Sequence, residues 1–272
     1  MKEILLSKMT WEDVKKCIAE KSIVLVPVGS IEEHGPHLPL STDSIIAEEV
    51  AKETARRVIK EGISILVAPT ISFGYSSKNI MKFPGTITLE IDTFINLVFD
   101  YLNSIISHGF RRILVVNAHG QNSGALRVVA RKIYEKTSVP IAIVPLCMLL
   151  AKEAITKHRR SDLGGVMHAG EVETSIILYL NKDLVKLERA SKEVTIPPSP
   201  ILGGDITLTR KIFLTTWSYW RSEKGILGDP TVACEEFGKI IFNRIVEELV
   251  SIVKELYFKV FPTIEKTRCT PG

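Results

Sequence analysis

Four apolar, β-branched runs bounded by Gly or Pro, at Ile23–Val28, Ile63–Ile71, Arg112–Asn117 and Pro140–Leu146, alternate with segments whose apolar positions recur at helical spacing. That alternation predicts parallel strands joined by crossover helices: an α/β chain with a mainly parallel central sheet flanked by helices. The clearest helix opens at Thr42 or Asp43, either of which can cap it, and runs to about Lys60. Ile46, Val50, Ala51, Ala55, Val58 and Ile59 fall on one face of it, and Gly62 stops it. Further helices are predicted over Trp11–Glu20, Ile91–His108, Gly124–Lys136, Gly170–Leu180 and Cys234–Leu256. The Pro-rich stretch Ile196–Ile201 breaks the helical pattern, and Trp217–Asp229 reads as an irregular excursion. With no repeat, low-complexity tract or linker, residues 1–272 are expected to form one domain.

Bulk composition narrows the function classes. A chain of 272 residues with 45% apolar content can bury a large core, since chains of this size hide roughly 75% of their unfolded surface. Its 35 basic and 31 acidic residues are scattered, giving a formal net charge of +4 without a dense Lys/Arg block. Nucleic acid is therefore not an expected partner. Cys17, Cys147, Cys234 and Cys269 lie far apart with no Cys-x-x-Cys spacing, so neither a zinc ribbon nor a disulfide framework is predicted, and a reducing, cytoplasmic setting is expected. No apolar run reaches the roughly 18 residues of a membrane span, so a soluble protein with no membrane partner is expected.

The chemistry concentrates after the strands. In open α/β sheets ligands bind outside the carboxyl ends of strands, and the first run leads directly into a loop holding Glu32, Glu33, His34, His37 and Asp43 between Gly35, Pro36 and Pro39. Carboxylates and imidazoles bind borderline divalent ions such as zinc, manganese and iron, and the Gly and Pro positions restrict the backbone that aims them. The third run leads into Asn117-Ala118-His119-Gly120-Gln121-Asn122, which brings His119 to the same sheet edge. A third cluster, His168-Ala169-Gly170-Glu171-Val172-Glu173-Thr174, opens a helix. Glu171 and Glu173, two apart, point to different faces, so one of them should enter a site while acids in a first turn also complement the helix dipole. Gly-x-Gly-x-x-Gly, the P-loop, His-Glu-x-x-His and Gly-x-Ser-x-Gly are all absent.

Together with Phe83-Pro84-Gly85-Thr86-Ile87 and Gly228-Asp229-Pro230, the Glu32–Asp43, Asn117–Asn122 and His168–Thr174 motifs resemble the creatininase (creatinine amidohydrolase) family over most of the chain. The resemblance implies a parallel-stranded α/β layer structure, a homo-oligomer in hexameric form, and two divalent ions per chain. Glu32 and His119 would hold one ion, His34 the other, and Asp43 would bridge them. Where creatininase has a glutamate completing the second metal's shell, this chain has Gln121, and Glu173 is the replacement. Creatininase sets aromatic rings against its substrate; Gly120 and Gly164 stand at the matching positions, which argues against creatinine here. In the segment Gly74–Asn79, relatives carry Glu-His where this chain carries Lys78, so Ser76, Lys78, Gly120 and Gln121 are the expected substrate contacts, with Lys78 favouring an anionic group such as phosphate or carboxylate.

These readings predict metal-dependent hydrolysis of a non-peptide C–N bond in a small amide, formamide or cyclic amide, a phosphorylated formamide first among them. Two ions roughly 3.5–4 Å apart would polarise the carbonyl and activate a water near neutral pH. His168 is the catalytic candidate, protonating the departing nitrogen or stabilising the oxyanion, because imidazole titrates near working pH. The alternative is a non-catalytic protein that uses the same fold and loop for a structural ion or small ligand. A structural ion is usually closed in by four protein ligands, whereas a catalytic one keeps an open position.

Overall fold

The computed structural model describes residues 3–214 and 221–268. Residues 217–220 of the expected excursion, and Cys269, lie outside that range. Strands β1 (Ile23–Val28), β2 (Ile65–Val67), β3 (Arg112–Asn117) and β4 (Ile141–Val144) form one parallel sheet in the order β2-β1-β3-β4. The two outer strands are shorter than their apolar runs, because pairing stops where the chain turns toward the sheet's carboxyl edge. All six residues of β1 and of β3 are buried. Pro27 sits in this central strand without loss of a ladder bond: its carbonyl accepts from Ile71, on the side where β2 has already ended.

Helices cover both faces, and alternate strand residues choose between them. Ile23, Leu25, Leu114 and Val116 pack with α2 (Thr42–Ile59), α7 (Glu171–Asn181) and α8 (Glu235–Glu255). Val24, Val26, Val28, Ile113 and Val115 pack on the other side with α1 (Trp11–Ala19), α4 (Ile91–Ser107) and α5 (Ser123–Thr137). The predicted long helices thus form within a residue or two of their expected ends. Three short helices carry no clear period: α3 (Lys78–Met81), α6 (Lys152–His158) and α9 (Phe261–Arg268), the last continuing α8 through a π-helical turn at Leu256–Val260. At the amino end of the sheet, the buried Arg112 guanidinium makes two bonds to Glu265 of α9, at 2.8 and 3.1 Å. A cavity of about 440 Å³ borders this pair, while the loops that carry His and carboxylate residues leave from the carboxyl end.

The closest helix contact sets the position of α7. A Cβ on Gly238 of α8 would overlap the main-chain carbonyl of Ser175 in α7, and neither backbone can yield without moving Glu173. Gly238→Ala is therefore expected to cost roughly 1–3 kcal/mol through overpacking, read as a lowered denaturation midpoint in urea. An unchanged midpoint would show that the two helices can separate freely.

Candidate metal centre

The loops that follow β1 and β3 leave adjacent strands side by side, and the first turns of α2 and α7 close over them. This brings Glu32, His34, Asp43, His119 and Glu173 together, each no more than 6% exposed. Asp43 lies centrally: one oxygen is 3.4 Å from His34 Nε2 and the other 2.9 Å from His119 Nδ1. Glu32 Oε1 is 3.3 Å from the same His119 nitrogen and 3.6 Å from His168 Nδ1. Glu173 Oε2 stands 3.9 Å from His34 Nε2 and accepts the Ala169 N–H at 2.6 Å. Ala169 reaches that position with φ of +51°, the left-handed region, at the entry to α7.

Each histidine is oriented by a main-chain carbonyl. His34 Nδ1 meets the Glu32 carbonyl at 3.1 Å, His119 Nε2 the Tyr75 carbonyl at 2.9 Å, and His168 Nε2 the Glu33 carbonyl at 2.8 Å. A carbonyl can only accept, so these nitrogens carry hydrogen and the opposite nitrogens face inward. In the neutral imidazoles those inward nitrogens are lone pairs aimed at carboxylate oxygens. Acceptor then meets acceptor unless a proton or a cation lies between them, and His34 Nε2 has no hydrogen-bond partner. Three overlapping triads, Glu32/His34/His168, Glu32/Asp43/His119 and His34/Asp43/Glu173, each place their ligand atoms within 4.8 Å of one another. The donor set is one that divalent ions satisfy.

Electrostatics agree. Burial works against a charged His34, yet the carboxylates of Asp43, Glu173 and Glu32 together hold its pKa up at about 10. Burial likewise opposes charge on His119, and Glu32 and Asp43 raise it well above the ordinary value. Burial would raise Asp43, but His34 and His119 pull it well below the usual carboxylate range, and His119 does the same for Glu32. Glu173 is raised, by burial first. The neighbouring His37 differs: burial and the charges of His34 and His168 lower it to about 4, and its Nε2 bonds the Thr174 hydroxyl at 2.9 Å. It props the first turn of α7 as a neutral group.

The two glutamates separate as their spacing predicts. Glu171 turns away from the cluster and accepts from the main chain of Arg160 and Ser161 and from the Ser161 hydroxyl. The four expected substrate contacts stand in different surroundings. Ser76 is buried and donates to Glu32 Oε2 at 2.5 Å, so its hydroxyl aims a carboxylate and is not offered to substrate. Gly120 is exposed with open space where a Cβ would stand, and the Gln121 side-chain oxygen is buried without a hydrogen-bond partner. Lys78 is exposed at the start of α3, whereas Ile80 is buried. A cavity of about 830 Å³ opens beside His168, lined by Glu33, Lys82, Phe83, Glu193 and Arg221 among others, and Lys78 is not part of its wall. Its cations are therefore Lys82 and Arg221, whose positions no local pattern in the sequence marks.

A family model described as "Creatininase: Creatinine amidohydrolase" matches residues 7–253. The chain is 34% identical over 237 residues to a mycofactocin precursor peptide peptidase of Mycobacterium tuberculosis, covering 84% of this chain and 82% of that one. It is 27% identical over 270 residues to the creatinine amidohydrolase of Pseudomonas putida, covering 93% and 97%. A 3-dehydro-scyllo-inosose hydrolase of Thermotoga maritima is 28% identical over 264 residues, covering 91% and 82%. Among solved structures, a creatinine amidohydrolase (creatininase) superposes with a TM-score of 0.77 at 24% identity over 95% and 99% of the two chains. A manganese form of creatininase does so with 0.78 at 24% over 94% and 100%.

Because His34 and His119 hold protons in the metal-free protein near neutrality, an entering ion must displace them. Zinc titrated into metal-free protein at pH 7 is expected to release at least one proton per chain, and affinity should weaken as pH falls and tighten as it rises toward 10, where His34 loses its proton unaided. Calorimetry in buffers of different ionisation enthalpy reads the count; binding with no proton release would exclude these histidines as ligands. Asp43→Ala should abolish divalent-ion binding, and Glu173→Gln should weaken it while Glu171→Gln leaves metal content intact. Metal analysis of the three variants checks the assignment, and the reverse order for the two glutamates would sink it.

Proposed function

We propose that this chain, which belongs to the creatininase family of metal-dependent amidohydrolases, hydrolyses a C–N bond in an amide that carries an anionic group. In this reading Glu32 and His119 hold one divalent ion, His34 and Glu173 hold a second, and Asp43 serves both. Zinc, manganese and iron all suit such oxygen and imidazole donors. Bound ions would supply Lewis-acid polarisation of the carbonyl and a water acidic enough to react near neutrality. The observation that carries the reading is the shared orientation of His34, His119 and His168: each gives its outer N–H to a main-chain carbonyl and turns its other nitrogen inward.

His168 differs from the other two in its surroundings. Its side chain is 15% exposed and borders the cavity, whereas His34 is sealed and His119 nearly so. With Nε2 committed to the Glu33 carbonyl, Nδ1 is the atom that takes a proton from the attacking water and returns it to the departing nitrogen. A structural ion would have no use for a proton carrier at a cavity wall, which favours the enzyme over the non-catalytic alternative. Lys82 and Arg221 support the anionic group, since neither has a carboxylate partner among the described residues; Lys82 Nζ bonds only the Ser222 carbonyl, at 2.8 Å. The substrate class is wider than a non-peptide amide, because a relative at 34% identity is named as a peptidase. Well-separated cysteines support a reducing cytoplasmic setting, and one domain in a homo-oligomer completes the proposal.

A metal-loaded preparation assayed over formamides, N-acyl amino acids, short peptides and phosphorylated formamides, each with a neutral analogue, tests the proposal. The anionic members are expected to be turned over preferentially, with Lys82→Ala and Arg221→Ala each raising KM about tenfold, the weight of one charge-assisted hydrogen bond. His168→Ala should keep its ions and lose roughly 10²–10⁴-fold in kcat. Tight ion binding without hydrolysis of any member would leave the structural-ion alternative standing.

A further inference from the structure

Glu33 lies between two ligands of the centre and has been given no part in it. Its carboxylate nevertheless stands at a defined place. Oε2 accepts the Gly35 N–H at 2.9 Å, and Oε1 is 3.3 Å from His168 Nε2, the nitrogen whose hydrogen already points at the Glu33 carbonyl. One residue thus offers the same N–H both its main-chain and its side-chain oxygen. The Glu33 main-chain N–H is in turn held by the Thr86 hydroxyl at 3.0 Å, which ties the whole residue to a second segment.

The opposite side of this carboxylate is closed by Gly225. That residue has φ of +78°, and a Cβ built on it would overlap Glu33 Oε2. Two independent features, positive φ and contact with a charged oxygen, therefore reserve the position for glycine. Nearby, the Leu227 N–H bonds the His168 carbonyl at 2.9 Å, so the loop that carries Gly225 also fixes the backbone of the histidine. Loop, glutamate and imidazole are packed as one unit at the cavity wall.

We infer that Glu33 is the positioning residue for His168, and that Gly225 is the surface that holds its carboxylate against the imidazole. The carboxylate fixes the ring plane so that Nδ1 faces the reacting atoms, and its negative charge offsets the positive charge that builds on the ring as the water proton transfers. This rests on the assignment of His168 to proton transfer. An imidazole held by a carbonyl alone can swing about one bond; the second acceptor removes that freedom.

The test uses metal-loaded enzyme and an amide found by the screen above. Glu33→Ala is expected to lower kcat roughly 10–100-fold, the usual effect of removing a group that orients a site imidazole, with KM within about twofold and both ions retained. Glu33→Gln, which keeps an acceptor of the same shape, should recover most of that loss. Gly225→Ala should mimic Glu33→Ala by pushing the carboxylate aside. The double variant should lose less than the two single losses combined, because the methyl then has no carboxylate to displace and only the strain of the positive φ remains. Additive losses, or full kcat in Glu33→Ala, would overturn the inference. Should no amide be hydrolysed by the wild type, the crystal structure of zinc-loaded Glu33→Ala still decides: His168 turned or spread over two positions supports the role, and an unmoved ring refutes it.

Discussion

Asp43 is buried between two imidazoles, within reach of two further carboxylates, in a place that water does not enter freely. Such a group of like-charged oxygens cannot stand in a low-dielectric interior unless positive charge stands among them. In the metal-free chain protons on His34 and His119 meet that need, which is why their affinity for protons is raised while Asp43 is pulled down. The surrounding architecture serves the same demand. Parallel strands deliver two ligand loops to one edge, α2 presents Asp43 from its first turn, and α7 is pressed in by α8 until Glu173 completes the ring.

Much of this was legible in the chain. The strand-and-helix alternation follows from burial on both sheet faces, which forces continuous apolar runs in the strands and a single apolar stripe on each helix. The ligands were legible because β1 and β3 end abruptly in polar, Gly/Pro-braced loops, and only one order of events at a parallel sheet edge brings such loops together. Helical spacing indicated that only one of Glu171 and Glu173 could face the cluster, and Gln121 in place of the family's glutamate pointed to Glu173. The substrate wall was not legible. Ser76 resembles any loop serine until its distance to Glu32 is known, and Lys78 and Lys82 are equally plausible cations until the position of the cavity is known. Arg221 and Glu33 owe their places to contacts between segments more than a hundred residues apart.

The two ends of the sheet have opposite characters. At the amino end, Arg112 is neutralised by Glu265 with both guanidinium bonds made, and Glu265 is lowered chiefly by that bond. A cavity of about 440 Å³ borders this pair, and the charged groups that line it bond within the fold. At the carboxyl end, His34 Nε2 is left without a hydrogen-bond partner, 3.4 Å from an Asp43 oxygen. Stability and reactivity are in this way separated along the strand direction, as the topology of parallel sheets favours.

The cavity is assembled from two kinds of material. Its floor, with His168 and the ligands beneath, is fixed by strands, helix ends and main-chain carbonyls. Its rim comes from the short α3 region, the extended stretch around Glu193 and the loop through Ser222. Exchange of a rim side chain such as Lys82 or Arg221 changes what is admitted but not how the bond is broken, whereas Gly225, in the same loop as Ser222, bears on His168 through Glu33. A lineage can therefore drift from one substrate to another through steps that each preserve a working catalyst, and divergence in this architecture should be recorded in the rim long before it reaches the floor.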